Sequence, residues 1–530
     1  MKKLYHCLIL FLSTINGTLY GQANKQKTIF LGDTVTINNN QIDLSKINNH
    51  FKVIDAKKGA YLASSVGRYV YNGIDYTILD PLKDGVTKVL VIGNSFSDDG
   101  VEYYLHEMAR STGKALVIGN LFRGGAPLDF HLKNALTNNK IYSYRKTTID
   151  GIKSNTDKTS ILEALKDENW DYICFQQASV TSGNIESIKE SLPKLFDYVV
   201  DNYPISTVKY LYHQTWAYAQ NAVTANFDKY DKDQILMYNK IVEVSRQIPE
   251  MIPMYKLIPS GTAIQNGRGS FFGDNFTREA YHLDLVIGRF TAASTWYGTL
   301  FDDLETLSFK PAYLGDSQFQ IAKESALLAI KNPFSVSKLK NNTKQNKAYK
   351  DFDEVRINLG TDLIIPGWTA LLYEKKGSGR FDLLDNHHKN SNVNVVILKD
   401  FESRKGNGPK KISFDSQIPS QVTQQYLRAS INTANQEENY LSLENLNPAK
   451  KYNITVISTV AEEVGESIVQ LAGAKKSTLS VNPSFNRKNE ILFEDFLPSK
   501  DGKVLVSFRL PKGYDESYGI INAIIIKQRN

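Results

Sequence analysis

The chain has 530 residues, with 63 Lys and Arg against 56 Asp and Glu and a formal net charge of +7 at neutral pH. This small positive excess gives no case for nucleic acid as a partner, because no dense basic cluster with interleaved aromatic residues accompanies it. The length allows two or three domains, and no fixed-period repeat is found along it.

The N-terminus has the pattern of a secretory signal peptide. Met1–Lys3 is short and basic, residues 7–12 are apolar, and the small Gly21 precedes Gln22. The apolar run is too short to span a bilayer, and no later stretch is long and apolar enough to do so. We therefore expect residues 1–21 to be removed, the protein to be exported to the periplasm or outside the cell, and no membrane span.

Export would leave a mature chain with one cysteine. The sequence has two cysteines, and Cys7 lies within the predicted signal peptide, so Cys174 alone remains. No internal disulfide can then form, and stability has to come from buried cores. Residues 22–85, with short strand candidates at 34–37, 69–71 and 76–78, are interpreted as an N-terminal extension.

The first motif that suggests a catalytic role consists of a strand, a turn and a helix. Four apolar residues, 89–92, predict a strand buried on both faces, as in a parallel sheet. Gly93 and Asn94 tolerate the backbone of a sharp turn, and Ser95 follows them. A serine at the C-terminal end of a buried strand suits nucleophilic chemistry. The alternative interpretation is that Ser95 merely caps the helix behind it.

Paired glycines follow the second predicted strand, 115–118. Gly124 and Gly125 let the backbone approach a ligand closely and present an N–H group to it. Taken alone, the pair favours an ordinary tight turn.

Two glutamines end the third predicted strand, 170–175. Gln176 follows the strand directly, and its amide hydrogens can donate to a developing negative charge. Gln177 points to the opposite face if the alternation of the strand continues, so the choice between the two stays open.

Strands four and five are predicted at 208–212 and 252–258. His213 follows the fourth strand, and we interpret it as a structural histidine in preference to a catalytic one. Trp216 and Tyr218 either stack on a sugar or belong to the core. These three residues lie in one of two motifs that stand out here, His213–Tyr218 and Ser260–Asn266.

The last candidate motif lies just before an apolar helix. Glu279 and His282 are three residues apart, and Asp284 follows closely. The helix start places His282, in a loop, within reach of the strand ends. Taken alone, the motif favours a surface glutamate beside an unrelated histidine.

In this order the motifs resemble the blocks of the SGNH (GDSL-like) hydrolases, over roughly residues 86–330. Gly-Asn-Ser, the Gly-Gly pair, the glutamine at a strand end and Glu-x-x-His follow in SGNH order. The chain has Gln where most of these enzymes have Asn, as in some carbohydrate-esterase branches, and Glu where they have Asp. It lacks the G-x-S-x-G elbow of α/β-hydrolases, because Ser97 replaces the second glycine. The two motifs after strands four and five resemble a Bacteroidetes branch of unknown function.

The resemblance implies a flavodoxin-like, three-layer αβα domain with a parallel sheet over residues 86–332, and it implies no metal or organic cofactor. It makes Ser95 the nucleophile, His282 its general base and Glu279 the carboxylate that orients His282, with Asp284 as the alternative. It also implies an oxyanion hole from three donors: the N–H groups of Ser95 and Gly125, with Gly124 as the alternative, and the Gln176 amide.

The pattern changes beyond a polar linker at residues 333–352. Short alternating segments separated by turn residues predict an all-β sandwich over residues 353–530. We expect strands at 355–359, 393–398, 452–457, 504–508 and 518–526. The region resembles jelly-roll accessory domains of Bacteroidetes polysaccharide enzymes, which implies either glycan binding or a structural role.

Together these features predict an exported serine esterase that removes acyl groups, above all acetyl, from a polysaccharide or oligosaccharide. The expected partner is an acylated glycan. The alternatives are a non-catalytic glycan-binding protein on the same scaffold and a lipase or thioesterase of the same fold.

Overall fold

A computed structural model gives the structure of the protein. The described residues are 25–30, 34–36, 51–55, 60–63, 67–71, 74–79, 85–205, 207–340, 348–361, 363–371, 376–416, 418–430, 438–509 and 518–529. The predicted signal peptide, residues 1–21, lies outside them. Within these residues, no helix combines the length and the apolar character needed to cross a membrane.

The chain divides into two compact units, Met1–Val86 and Thr87–Asn530. The first unit contains two three-stranded sheets, ordered β1-β6-β5 and β2-β4-β3. Their strands are β1 (Lys25–Phe30), β2 (Thr34–Thr36), β3 (Phe51–Asp55), β4 (Ala60–Ala63), β5 (Gly67–Tyr71) and β6 (Ile74–Leu79). The three short strands expected in this segment correspond to β2, β5 and β6.

The second unit begins with a seven-stranded sheet, ordered β10-β9-β8-β7-β11-β12-β13. Its strands are β7 (Val86–Gly93), β8 (Ala115–Phe122), β9 (Tyr142–Thr147), β10 (Lys153–Thr159), β11 (Tyr172–Phe175), β12 (Lys209–His213) and β13 (Met254–Ile258). β11 is parallel to both β7 and β12, and β12 is parallel to β13. The five predicted strands and the mostly parallel sheet are therefore confirmed.

The edge hairpin β9–β10 was not foreseen from the sequence. β9 is antiparallel to both β8 and β10. β10 is polar, and six of its seven residues are exposed. A strand without a buried face has no apolar run, so hydrophobic periodicity gives no signal for it.

Helices cover both faces of this sheet. The helices are α1 (Ser95–Val101), α2 (Leu105–Ser111), α3 (Leu128–Leu136), α4 (Ile161–Leu165), α5 (Ile185–Asn202), α6 (Gln234–Gln247), α7 (Ser260–Arg268), α8 (Ile287–Phe301) and α9 (Asp316–Lys331). α3, α4 and α5 pack together, whereas α1, α2, α7 and α9 pack with or around α8. In β7, Val89 and Val91 join the core beneath α8, while Leu90 and Ile92 are equally buried and alternate to the other face. The three-layer αβα architecture is therefore confirmed.

The C-terminal region is all-β, as predicted. A five-stranded sheet, β17-β16-β29-β23-β26, and a six-stranded sheet, β18-β19-β22-β27-β24-β25, share one apolar core, and β20-β21-β28 form a third sheet. The strands are β16 (Glu354–Leu359), β17 (Thr369–Leu371), β18 (Gly379–Arg380), β19 (Asn394–Ile397), β20 (Ser403–Lys405), β21 (Tyr426–Ser430), β22 (Glu438–Glu444), β23 (Tyr452–Ile457), β24 (Ser467–Ala472), β25 (Lys476–Val481), β26 (Ile491–Phe496), β27 (Val504–Arg509), β28 (Tyr518–Ile521) and β29 (Ala523–Gln528).

The last predicted strand, 518–526, is wrong as a single element. β28 and β29 belong to different sheets, and Asn522 lies between them. The Asn522 amide donates to the carbonyls of Thr423 and Gln425, and its oxygen accepts from Thr459 N–H. A buried asparagine that satisfies loop backbone groups lets the chain leave one sheet and enter the next.

The C-terminal region contacts the α/β region directly. Arg380 on β18 forms a buried ion pair with Asp284, and Gly379 N–H donates to Asn275 Oδ1 at 2.9 Å. The start of the predicted linker is also packed, because Leu339 is buried and Ser337 N–H donates to Asn266 Oδ1 at 2.6 Å. The two regions therefore belong to one compact unit.

Candidate active site

Ser95 is the first residue of α1, directly after the end of β7. Asn94 is the N-cap of this helix, and its Oδ1 accepts from Phe96 N–H at 3.0 Å. The capping role therefore falls to Asn94, while Ser95 is partly exposed. Gly93 is required at the turn, because a Cβ there would lie 2.4 Å from Ser97 Oγ. The local sequence thus places an accessible hydroxyl at the carboxyl edge of the central sheet.

His282 lies in a short hairpin made by β14 (Thr277–Arg278) and β15 (His282–Leu283). Its Nδ1 lies 3.0 Å from Glu279 Oε2. Glu279 and Ala280 both have positive φ, 53° and 68°, which turns the chain so that the Glu279 and His282 side chains meet. The segment that the sequence predicts as a loop is therefore a hairpin, and α8 starts after it, at Ile287.

Asp284, the alternative orienting carboxylate, is committed elsewhere. Its Oδ1 accepts from the N–H groups of Val286 and Ile287, at 3.0 and 2.8 Å, at the start of α8. Its Oδ2 pairs with Arg380. Of the two carboxylates, Glu279 is the one in contact with His282 Nδ1.

A buried carboxylate ties the histidine hairpin to the serine helix. Asp99 on α1 accepts from Leu283 N–H at 2.7 Å and pairs with Arg278 at 3.0 Å and Arg289 at 2.7 Å. Its side chain is fully buried. Because the Asp99 carboxylate holds both strands of the hairpin and the following helix, it fixes His282 relative to Ser95. Sequence reasoning missed Asp99, since its partners lie about 180 residues away.

The rings of Phe96 and His282 also approach each other, with centroids 6.1 Å apart. In the described structure, Ser95 Oγ and the His282 ring form no direct hydrogen bond. Catalytic hydrogen bonds are often long before substrate is bound and tighten in the complex. The Phe96 ring, next in sequence to Ser95, is therefore the part of the serine helix that approaches His282.

The Gly-Gly loop lies against the serine turn. Arg123 N–H donates to Gly93 O at 3.3 Å, and Asn94 Nδ2 donates to Ala126 O at 3.0 Å. Gly124 and Gly125 between these contacts are exposed, and Gly125 has a φ of +68° that favours glycine. The loop thus brings exposed backbone to the side of Ser95 without deciding between the two glycines.

The two glutamines after β11 point to different places. Gln176 is fully buried, and its Nε2 donates to Asn94 Oδ1 at 2.7 Å. Gln177 Oε1 accepts from Leu128 N–H, at the start of α3, at 2.9 Å. Of these two side chains, Gln176 is the one that contacts the serine turn, although one of its amide hydrogens is already used there.

His213, Trp216 and Tyr218 are all buried. Burial lowers the pKa of His213 to about 3, so its ring is neutral at physiological pH. The Trp216 ring stacks on Phe96 with centroids 4.4 Å apart, and the Tyr218 hydroxyl lies 2.9 Å from Ser179 Oγ. Sugar stacking on Trp216 and Tyr218 stays a prediction, and in this structure both rings belong to the hydrophobic core.

An acidic group lies further along the chain from Ser95, just after α1. Glu102 is held by Asn120 and lies near Arg145, and burial, followed by the Asp98 carboxylate, raises its pKa to about 7. No group of three or more His, Cys, Asp or Glu side chains within the described ranges is arranged to hold a metal ion.

Comparison with known proteins identifies the family of the α/β region. The model of DUF4886, a domain of unknown function, matches residues 88–329. A crystal structure of a DUF4886 family protein from Bacteroides uniformis ATCC 8492 is 43% identical, covers 48% of this chain and 99% of its own, and has a TM-score of 0.48. The chain therefore belongs, through this region, to the DUF4886 family.

More distant structures are also similar. A protein from Slackia heliotrinireducens, provisionally assigned to the SGNH hydrolases, is 18% identical over 41% of this chain and 99% of its own, with a TM-score of 0.27. LAE5, an α/β hydrolase enzyme from the metagenome of Lake Arreo, Spain, is 15% identical over 40% of this chain and 93% of its own, with a TM-score of 0.26. No curated protein matches the chain.

Proposed function

We propose that this protein is an SGNH-type serine ester hydrolase that removes acyl groups, most readily acetyl, from a polysaccharide or oligosaccharide. One observation carries the proposal above all. The Glu279–His282 pair sits on a hairpin that Asp99 fastens to the helix whose first residue is the accessible Ser95.

The proposed reaction begins at Ser95. Its Oγ attacks the ester carbonyl while His282 Nε2 takes the hydroxyl proton. The contact between His282 Nδ1 and Glu279 Oε2 supports this tautomer, because it leaves Nε2 with a lone pair. The imidazolium then protonates the departing sugar hydroxyl. Water, activated by the same imidazole, finally releases the acyl group from Ser95.

The tetrahedral oxyanion requires donors already in place. We assign this role to the N–H groups of Ser95 and Gly125 and to the remaining amide hydrogen of Gln176. The contacts of the Gly-Gly loop with Gly93 and Asn94 support the first two donors. Of the three proposed donors, the Gln176 amide is the most constrained, because it is buried and bonded to Asn94.

The glycan part of the proposal has different support. The all-β C-terminal region and the predicted signal peptide suit an exported enzyme with a polymeric substrate. A direct ion pair between Arg380 and Asp284 also connects that region to the segment that follows His282.

The proposal is tested by measuring acetate release from a panel of acetylated glycans, beside p-nitrophenyl esters of increasing chain length. We expect acetate release and a preference for the shortest acyl chain, both abolished in Ser95→Ala. Ser111→Ala, which removes a hydroxyl that donates to Met108 O within the neighbouring helix α2, is the matched control. Preference for long acyl chains would indicate a lipase or thioesterase. Glycan binding without hydrolysis of any ester would contradict the enzyme assignment.

A further inference from the structure

Two sequence motifs that have no part in the proposed chemistry meet in the structure. His213, at the end of β12, has its Nε2 3.0 Å from Ser260 Oγ at the start of α7. The next residue, Gln214, accepts from Thr262 N–H at 2.9 Å. The motifs beginning at His213 and Ser260 therefore form one buried contact behind the sheet edge.

From this contact, hydrogen bonds continue to the serine turn. His213 Nδ1 lies 2.7 Å from Gln176 Oε1, and Gln176 Nε2 donates to Asn94 Oδ1 at 2.7 Å. Asn94 Nδ2 in turn donates to Ala126 O at 3.0 Å, beside Gly125. All four side chains of this Ser260–Asn94 relay are at most 1% exposed.

Backbone groups at the Asn94 end determine which atom of each side chain in the relay donates a proton to its hydrogen bond. Phe96 N–H must donate to Asn94 Oδ1, and Ala126 O must accept from Asn94 Nδ2, so the Asn94 amide has one possible orientation. The group of Gln176 that faces Asn94 Oδ1 must then be its NH2, and its oxygen faces His213.

The same logic continues to the other end. His213 must carry its proton on Nδ1 to meet the Gln176 oxygen, so its Nε2 is an acceptor and Ser260 is the donor. Burial lowers the pKa of His213, which keeps the ring neutral, and the Gln176 oxygen then selects the Nδ1–H tautomer. Each member thus donates in one direction, from Ser260 toward Ala126.

We propose that His213 and Ser260 are positioning residues that hold Asn94, and through it the serine turn and the Gly-Gly loop, in the geometry that binds the oxyanion. The inference rests on the proposed function. It gives a role to the buried His213 imidazole, which is bonded to Gln176 and Ser260 and takes no part in the proposed chemistry. Losing the Ser260 hydroxyl leaves His213 Nε2 without a donor, so the imidazole keeps one of its two hydrogen bonds and can shift in its site. Gln176, and through it Asn94, would then lose a fixed support.

The first test reads the tautomer without any catalysis. Protein with ¹⁵N-labelled histidine is examined by two-bond ¹⁵N–¹H correlation between pH 5 and 8, and the His213 signal is identified by its loss in His213→Asn. We expect the His213 signal to stay in the Nδ1–H form without titrating, and its Nε2 shift to change in Ser260→Ala. An Nε2–H form, or a ring that titrates in this range, overturns the inference.

The second test uses kinetics. Ser260→Ala is expected to lower kcat by about 10- to 10²-fold with little change in KM, because small misplacement of catalytic groups has effects of this size. Ser260→Thr keeps the hydroxyl and should recover most of kcat. The matched control is Ser245→Ala, a buried serine whose hydroxyl donates within α6, to Ile241 O.

The outcomes separate the two proposals. Wild-type kcat in folded Ser260→Ala, or a loss that Ser260→Thr does not recover and that follows thermal stability alone, overturns the positioning role. Absence of ester hydrolysis in the wild-type protein overturns the proposed function, and with it the positioning role, whereas the tautomer is still read by NMR.

Discussion

The serine side and the histidine side of the candidate site are built from different interactions. Ser95 is held by neutral, buried amide and backbone hydrogen bonds that run through Asn94 and Gln176. His282 is held by charges, because Asp99 joins its hairpin to two arginines. The hydrogen bonds of Asn94 and Gln176 therefore join uncharged groups, whereas the hairpin of His282 is held by the ion pairs of Asp99.

Among the substitutions around Ser95 and His282, removing the charge that contacts His282 should have the largest effect on kcat. Glu279→Gln keeps the size of the side chain but cannot stabilise an imidazolium, so we expect kcat to fall by about 10²- to 10⁴-fold. Steady-state kinetics on a small acetyl ester measure this, and Asp284→Asn should not reproduce a selective loss of kcat. Wild-type kcat in Glu279→Gln would reduce the triad to a Ser–His dyad.

The link between the two sides should matter for stability. Asp99→Asn leaves Arg278 and Arg289 without their buried counter-charge, and breaking such a pair costs about 3–5 kcal/mol of unfolding free energy. Denaturant unfolding measures the change. Asp228→Asn is the control, since its exposed ion pair with Lys232 should contribute about 1 kcal/mol or less. Equal effects of the two substitutions would show that Asp99 is not the connecting group.

On the serine side, Gln176 is the residue around Ser95 at which a substitution should lower kcat most. Gln176→Ala removes both the contact with Asn94 and a proposed oxyanion donor, so kcat should fall by about 10²- to 10³-fold with KM little changed. Steady-state kinetics on the same acetyl ester measure both constants. If KM rises and kcat is kept, Gln176 contributes to ground-state binding instead.

The smallest predicted effect concerns Glu102. Its pKa is raised to about 7 in the folded protein, chiefly by burial, so the folded state holds a proton that the unfolded state has lost between about pH 4.5 and 7. Stability associated with this group is present below its unfolded pKa and is lost as pH rises through 7. Glu102→Gln should therefore raise Tm more at pH 8 than at pH 5. An equal shift at both pH values, or the exposed control Glu107→Gln giving the same result, would contradict this explanation.

The sequence predicts those parts of the molecule that depend on local pattern. Buried apolar runs located five of the seven strands of the central sheet, and strand-end positions indicated Ser95 and Gln176 as candidates. The contact between Glu279 and His282 could be expected because the two residues are three apart and resemble the last SGNH block. Asp99 and the relay from Ser260 were missed because buried polar partners far apart in sequence leave no periodic signal. The edge hairpin and the break at Asn522 were missed for the same physical reason, since polar edges and buried loop asparagines are set by tertiary contacts.

The central claim is that Ser95 is a nucleophile activated by His282, and covalent labelling tests it most directly. The wild-type protein is incubated with a fluorophosphonate, and the modified residue is located by peptide mass spectrometry. We predict one phosphonylated site at Ser95, with labelling at least about 10³-fold slower in His282→Ala and absent in Ser95→Ala, because the two residues act as a unit. Labelling at another serine, or equal labelling of Ser95 with and without His282, would contradict the account.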